Sequence, residues 1–330
     1  MIDTIRGYII LNKSHKSNFK TLLQDSTKTI RKNGYTKTTN LLNFKITISF
    51  DEKHNPHRLS FNGSLPKFYY GNNLIHLDWD KTQDAIQMLS DSLNVNISEA
   101  ILMRVDFGIN IPLKHSIYEY INCFLAYPRL ETIRFKESVT FYTSTNTRSF
   151  IYYDKLKEMS NKKKNNFYNQ FINENVLRYE IQLKKHLKRR FRLKEMKVKH
   201  LFCDTIQNKL LEYWFNGYKK VKKQALGIDP EYLLKGHNGL QKYLSYHGIQ
   251  RLGYDRINSK ISEQIFNVSN NRVKKSKMRG QIKKLLKEVN KNALDNRLIE
   301  ELDEKMIFIR DFIISNKSVP YFISEKEYKF

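Results

Sequence analysis

Up to about residue 184, apolar and polar positions alternate with a period of two, in β-branched and aromatic runs broken by short turns. That period sends successive side chains to opposite faces of a strand. Strands are predicted over residues 5–11, 44–50, 67–70, 102–111, 138–142, 149–155 and 176–184. Helical spacing, with apolar residues three and four apart, interrupts the alternation at 81–93 and 116–127. The mixture predicts an α+β fold with a largely antiparallel sheet and flanking helices. Beyond about residue 195 only the helical spacing remains, at 205–226, 239–246, 260–266, 272–289 and 295–314, so this half is predicted to be all-α. Gly227-Ile228-Asp229-Pro230 and Gly236-His237-Asn238-Gly239 read as turns between those helices, and Asn161-Lys162-Lys163-Lys164-Asn165-Asn166 as an exposed loop between two strands. No internal repeat is visible.

A chain of 330 residues can bury a substantial core. The change of period divides it into two expected domains, 1–195 and 196–330. Hydrophobic residues make up 40% and aromatic residues 13%, a composition that folds rather than remaining disordered. Charge narrows the function: 59 Lys plus Arg stand against 33 Asp plus Glu, a net +26 that points to a polyanionic partner such as nucleic acid. No apolar run approaches the roughly 18 to 20 residues that span a bilayer. The opening Met1-Ile2-Asp3-Thr4-Ile5-Arg6 lacks the order of a signal peptide. No membrane partner is expected. Cys123 and Cys203 are the only cysteines and stand far apart, so neither a zinc site nor a disulfide framework is expected and a reducing cytoplasm fits.

Three strands carry the candidate chemistry. In Leu102-Met103-Arg104-Val105-Asp106-Phe107-Gly108-Ile109-Asn110 the apolar residues share one face and Arg104, Asp106, Gly108 and Asn110 the other. In Val176-Leu177-Arg178-Tyr179-Glu180-Ile181-Gln182-Leu183-Lys184 the same split puts Arg178, Glu180, Gln182 and Lys184 on an outward polar face. Either face taken alone reads equally as a solvated surface with cross-strand ion pairs. In Ser149-Phe150-Ile151-Tyr152-Tyr153-Asp154-Lys155, Tyr153 and Lys155 point the same way, and an adjacent ammonium would favour the phenolate.

In order and spacing these three segments resemble the filamentous-phage gene II/X-like replication initiation (nicking) proteins and their phage and plasmid rolling-circle relatives. Met1-Ile2-Asp3 and Gly63-Ser64-Leu65-Pro66-Lys67-Phe68 are similar to that family as well, so the resemblance covers most of residues 1–195. It implies a sequence-specific, metal-dependent nicking-joining endonuclease of a phage or plasmid origin, acting in the cytoplasm of a bacterial host on single-stranded or hairpin origin DNA, with a host helicase and polymerase as further partners. It places the nucleophile, which forms a 5′-phosphotyrosyl link, on Tyr153. Tyr152 is the neighbour that a one-residue register slip would substitute. A related class, the HUH endonucleases, holds its metal with a His-hydrophobic-His pair, and none occurs among the nine histidines. His76-Leu77-Asp78 is the nearest approach and reads as the accidental end of a strand. The fold is therefore expected to be HUH-like without the His pair. The metal, Mg²⁺ or Mn²⁺, is expected on Asp106 and Glu180, since hard cations take oxygen ligands. Asp3 is a third candidate by resemblance only, and Asp154 points to the wrong face. Lys155, Arg104 and Arg178 are the expected stabilisers of phosphoryl charge. Tyr142 is a second candidate nucleophile.

Two basic stretches extend the picture. Residues 184–199 hold nine Lys or Arg, among them Lys184, Lys185, Lys188, Arg189, Arg190 and Arg192. Residues 272–287 hold eight and no acid, including Arg272, Lys274, Lys275, Lys277 and Arg279. Both suit phosphate contact. Residues 262–268, Ser269-Asn270-Asn271 and 272–286 have the pattern of a helix-turn-helix. Tyr213, Trp214, Phe215 and Tyr218 sit at helical spacing and are expected in the core. The rival functions are a non-enzymatic iteron-type plasmid initiator, against which the strand-rich first half argues, and a relaxase or transposase with tyrosine chemistry.

Overall fold

A computed structural model describes every residue except 13–18, 20, 161–173, 224–235, 253, 269–271, 292–296, 317 and 319–330. In chain order, strands β1 (Ile2–Ile10), β2 (Thr27–Arg31), β3 (Gly34–Leu41), β4 (Phe44–Phe50) and β5 (Pro56–Ser64) lead into helices α1 (Leu65–Tyr70) and α2 (Trp79–Leu93). The long β6 (Ile101–Leu113) is followed by α3 (Ile117–Cys123), β7 (Phe124–Ala126), β8 (Glu131–Phe135), β9 (Ser138–Tyr142) and β10 (Arg148–Asp154). Then come α4 (Lys155–Ser160), β11 (Asn175–Leu183), α5 (Leu187–Phe191), α6 (Asp204–Lys220) and β12 (Lys222–Lys223). Four helices close the described chain: α7 (Gly236–Leu252), α8 (Tyr254–Val268), α9 (Arg272–Lys291) and α10 (Arg297–Asn316).

Ten strands form one sheet in the order β2-β3-β4-β5-β1-β6-β11-β10-β9-β8, and every pairing is antiparallel. The α+β expectation holds. One face carries Ile46, Ile48, Leu59, Phe61, Val105, Phe107, Ile181 and Tyr152, all buried. Helix α6 closes on that face around Trp214, which stacks on Tyr179 at 5.1 Å. Its indole donates to the Tyr179 carbonyl at 3.2 Å and its own carbonyl accepts the Tyr179 hydroxyl at 2.8 Å. Gly217 permits this approach, because a Cβ there would stand 2.4 Å from the Phe150 ring. The aromatic patch is core, as its spacing predicts. Leu298, Leu302, Met306, Ile309 and Ile313 of α10 join the same core, and Glu301 accepts the Tyr120 hydroxyl at 2.5 Å, so the core runs across residue 195.

Several elements differ from the sequence expectations. Residues 67–70 are helical, not extended: the Ser64 side chain caps Lys67 N, Pro66 opens the helix, and Gly71 ends it at φ 76°. The helix expected to run to 127 stops at Cys123, and Phe124–Ala126 pairs with β12. Gly236-His237-Asn238-Gly239 begins α7 rather than forming a separate turn. The β2–β3 hairpin, β5 and β8 are not among the expected strands; β5 alternates only over a short span, at Leu59, Phe61 and Gly63, and β2 is exposed along its whole length, so its Thr-rich run has no apolar face to detect. The turns expected at 161–166, 227–230 and 269–271 lie outside the described residues.

Candidate active site

Cross-strand register decides which side chains can meet. Tyr153 on β10 lies opposite Arg178 on β11, which lies opposite Asn110 on β6. The next row is Ile151, Glu180 and Gly108, and the one after it Ser149, Gln182 and Asp106. Residues directly opposite in antiparallel strands share a face. The three polar motifs therefore converge on one patch of the sheet face opposite Trp214.

The patch is not solvated, contrary to the outward placement expected. Asp3, Asp106, Asn110, Lys155, Arg178 and Glu180 are all buried. Arg178, 1% exposed, donates from Nε to Glu180 at 3.2 Å and from Nη1 to Asn110 Oδ1 at 3.1 Å, while Nη2 donates to Asp3 Oδ2. Asp3 also accepts from Ser64 Oγ at 2.5 Å and from Asn73 Nδ2 at 3.4 Å. Burial alone would raise the Asp3 carboxyl; Arg178, Ser64 and Lys155 outweigh it and hold it below its usual value. Lys155 opens α4 instead of extending the strand, and its buried ammonium donates to Asn73 Oδ1 at 2.7 Å and Glu158 Oε2 at 2.8 Å. Gly108 makes room for the network: a Cβ there would stand 3.0 Å from Arg178 Nη2 and 3.2 Å from Glu180 Cβ.

Asp106 is the electrostatic outlier. Arg104 holds both its oxygens, from Nε at 2.8 Å and from Nη2 at 2.5 Å. Burial nevertheless dominates, and with the charges of Glu180 and Asp3 it pushes the carboxyl up to about 7. Tyr153 is moved in the same sense. Burial raises its phenol above the ordinary tyrosine value, and Glu180, Asp3 and Asp106 add to this against the pull of Arg178. The expected stabilisation of the phenolate by Lys155 is therefore overturned for the isolated protein; the ammonium lies 6.0 Å from the ring centre and is committed to Asn73 and Glu158. Tyr152 faces the other way, fully buried and stacked on Tyr179 at 4.3 Å. Tyr142 shares the row of Ser149, Gln182 and Asp106 at partial exposure.

The donor set suits a hard divalent cation in part. Asp106 and Glu180 offer carboxylate oxygens from adjacent strands, and the proton affinity of Asp106 is raised chiefly by burial, with Glu180 and Asp3 adding to it against Arg104. Among the described residues no three His, Cys, Asp or Glu side chains stand together as a metal-binding group. Two carboxylates are enough where substrate phosphate and water complete the shell, as Mg²⁺ commonly allows. Arg104, 24% exposed, has room to turn away.

Sequence reasoning missed two contributors. Asn73 links Asp3 to Lys155 from the loop after α1, where no periodicity exists to flag it. His76 is no accident of a strand end: its Nε2 accepts the Asn110 backbone N–H at 2.8 Å, and burial together with nearby positive charge keeps the ring neutral. Of the basic residues, Lys184 reaches Ser149 at 3.2 Å and borders the patch. Lys185, Lys188, Arg189 and Arg192 are exposed on and around α5, and Arg190 donates to the Tyr213 hydroxyl at 3.0 Å. Arg272, Lys274, Lys277 and Arg279 are exposed on α9, with Lys275 half-buried, and Arg279 donates to Ser262 of α8 at 3.1 Å. No helix of the described chain is long and apolar enough to cross a membrane.

No curated protein matches the chain. Residues 1–202, which contain every strand of the buried patch, match the family model for the N-terminal region of the gene II-type phage replication-associated protein. The match spans more than half of the sequence, and the chain belongs to this family of phage replication-associated proteins.

Proposed function

We propose that the protein is a rolling-circle replication initiator that cuts and rejoins one DNA strand at a phage or plasmid origin, with Tyr153 as the nucleophile. The observation that carries this reading is the row of Tyr153, Arg178 and Asn110 laid beside Asp106 and Glu180 on one enclosed face. In the reaction the phenolic oxygen bonds to the scissile phosphorus as the bond from phosphorus to the 3′ oxygen breaks. The products are a 5′-phosphotyrosyl link and a 3′-hydroxyl that a polymerase can extend. The phenolic proton is released to water as that bond forms, and the departing 3′ oxygen takes up a proton from water. Because burial holds the phenol above its usual value, its deprotonation has to be driven by positive charge brought to the patch with the substrate.

Arg178 acts here as a positioning residue. Its guanidinium is shared among Asp3, Glu180 and Asn110 and holds the strands in register. Arg104 and Lys184 lie at the open edge, paired with Asp106 and Ser149, and would turn to meet phosphate oxygens. Asp106 and Glu180 would hold Mg²⁺ or Mn²⁺, and the bound ion supplies Lewis-acid polarisation of the phosphoryl oxygen.

The test is incubation with single-stranded origin DNA and Mn²⁺, followed by a denaturing gel. Wild type forms a covalent adduct, Tyr153→Phe forms none while binding the same DNA, and Tyr142→Phe keeps the adduct. An adduct with Tyr153→Phe, lost in Tyr142→Phe, would transfer the role to Tyr142.

A further inference from the structure

The polar face does not end at the buried patch. Arg6 on β1 lies opposite both Arg104 on β6 and Asn62 on β5, so the face continues across the first five strands. Their other face is core, with Ile46, Ile48 and Leu59 at 0% exposure. On the open side stand alternate residues such as Lys45, Thr47, Ser60, Arg58, Tyr8 and Arg6, all partly or fully exposed. Thr38 and Thr47 mark the shared face with a hydroxyl contact of 3.1 Å. Apart from Asp3, buried at the start of β1, and the exposed Ile10 opposite Arg58, this face from β2 to β1 carries mainly hydroxyls, amides and cations and no Asp or Glu; the next carboxylate is Asp106.

Two residues give the surface a shape. The Arg58 guanidinium lies over the Tyr8 ring at 3.8 Å, and its buried Nε has no hydrogen-bond partner. A planar cation stacked on an aromatic ring is a flat, electropositive step that accepts another flat group. Tyr8 and Tyr153 are on strands β1 and β10, three strand spacings or about 14 Å apart across the sheet. Tyr8 faces Ile101 while Tyr153 shares the row of Asn110, nine residues or about 30 Å further along β6, a span that several nucleotides cover.

We propose that the open face of β1 to β5 is a track for single-stranded DNA leading to Tyr153, with the Tyr8–Arg58 pair stacking a base and Arg6 and Lys45 meeting phosphates. This rests on the nicking reading and names the path its substrate takes. Charge complementarity, hydroxyl donors at strand spacing and a stacking step together match the way single strands are held without base readout. A duplex keeps its bases stacked on one another and away from the Tyr8–Arg58 step, which favours a single strand as the occupant.

Binding is measured apart from cleavage, with full-length Tyr153→Phe protein in EDTA and a fluorescein-labelled oligothymidine of about 20 nucleotides, long enough to cover an ordinary single-strand site. Tyr8→Ala should weaken the complex by on the order of ten-fold, the effect of losing one stacked base. Thr47→Glu and Ser60→Glu should weaken it further and flatten its salt dependence. In the same background, 4-thiothymidine oligonucleotides should photocrosslink to peptides of β1 and β5, a readout that does not depend on any track variant folding. Unchanged binding in the folded variants, or crosslinks confined to other elements, overturns the track and leaves the nicking reading standing. Variants that lose affinity for a duplex of the same length but not for oligothymidine overturn the assignment to a single strand. Failure of the background protein to bind single-stranded DNA at all overturns both readings.

Discussion

Asp106 offers the sharpest physical test of the buried patch. In the unfolded chain its carboxyl ionises near 3.8, whereas in the folded protein it holds its proton up to about 7. Between those values the native state binds more protons than the unfolded state, so the free energy of unfolding falls as pH rises. At 1.36 kcal/mol per pKa unit, the part of this shift lying above pH 5 amounts to about 3 kcal/mol lost between pH 5 and pH 8. Asp106→Asn removes the titration and keeps the shape. It also takes the charge partner from Arg104, but that guanidinium is 24% exposed and can turn to solvent, so its cost is an offset nearly independent of pH. Urea unfolding of both proteins at pH 5 and pH 8, in EDTA, gives the double difference. The variant should gain about 3 kcal/mol on wild type across that interval, with the other titrating groups common to both. A double difference below about 1 kcal/mol, or one of opposite sign, would refute the claim that burial and like charge dominate Asp106.

Two further substitutions probe the network around it. Arg178→Ala leaves Asp3 and Glu180 without their buried cation and should cost about 3 to 5 kcal/mol in denaturant unfolding; a loss under about 1 kcal/mol would mean that the patch is not held together by charge. Gly108→Ala puts a Cβ 3.0 Å from Arg178 Nη2 and should cost about 1 to 3 kcal/mol while reducing adduct yield, and normal yield would show that the guanidinium can shift freely.

The strands that build the site were legible because each alternates cleanly. Arg104, Asp106, Gly108 and Asn110 fall on one face by period alone, and the register of β6 with β11 brings that face to Arg178 and Glu180. What alternation could not report is whether a polar face is wet or enclosed. Enclosure comes from Asp3, Ser64, Asn73 and Lys155, which arrive from a strand start, two loop junctions and a helix start. The helix at 65–70 was readable in principle, since Ser64, Pro66 and Gly71 are start and stop signals at proper spacing, but its Lys-Phe-Tyr-Tyr core also satisfies a strand pattern. The choice between Tyr152 and Tyr153 was a question of register, and the stacking of Tyr152 on Tyr179 places its hydroxyl on the core side.

A chain with a net charge of +26 that nevertheless gathers three carboxylates around one tyrosine has a resting state in which that tyrosine stays protonated. The same carboxylates define how the state is left. Positive charge placed against Asp106 and Glu180 offsets the repulsion that adds to burial in raising the Tyr153 phenol, and lowers the proton affinity of Asp106 in the same step. On the proposed function, loading the site thus eases deprotonation of the nucleophile and leaves Asp106 and Glu180 ionised as ligands, two effects of one electrostatic patch. The basic open face ending at Asp106 fits this order: the strand is gathered where charge attracts it, and reaches the tyrosine only where the sign of the surface changes.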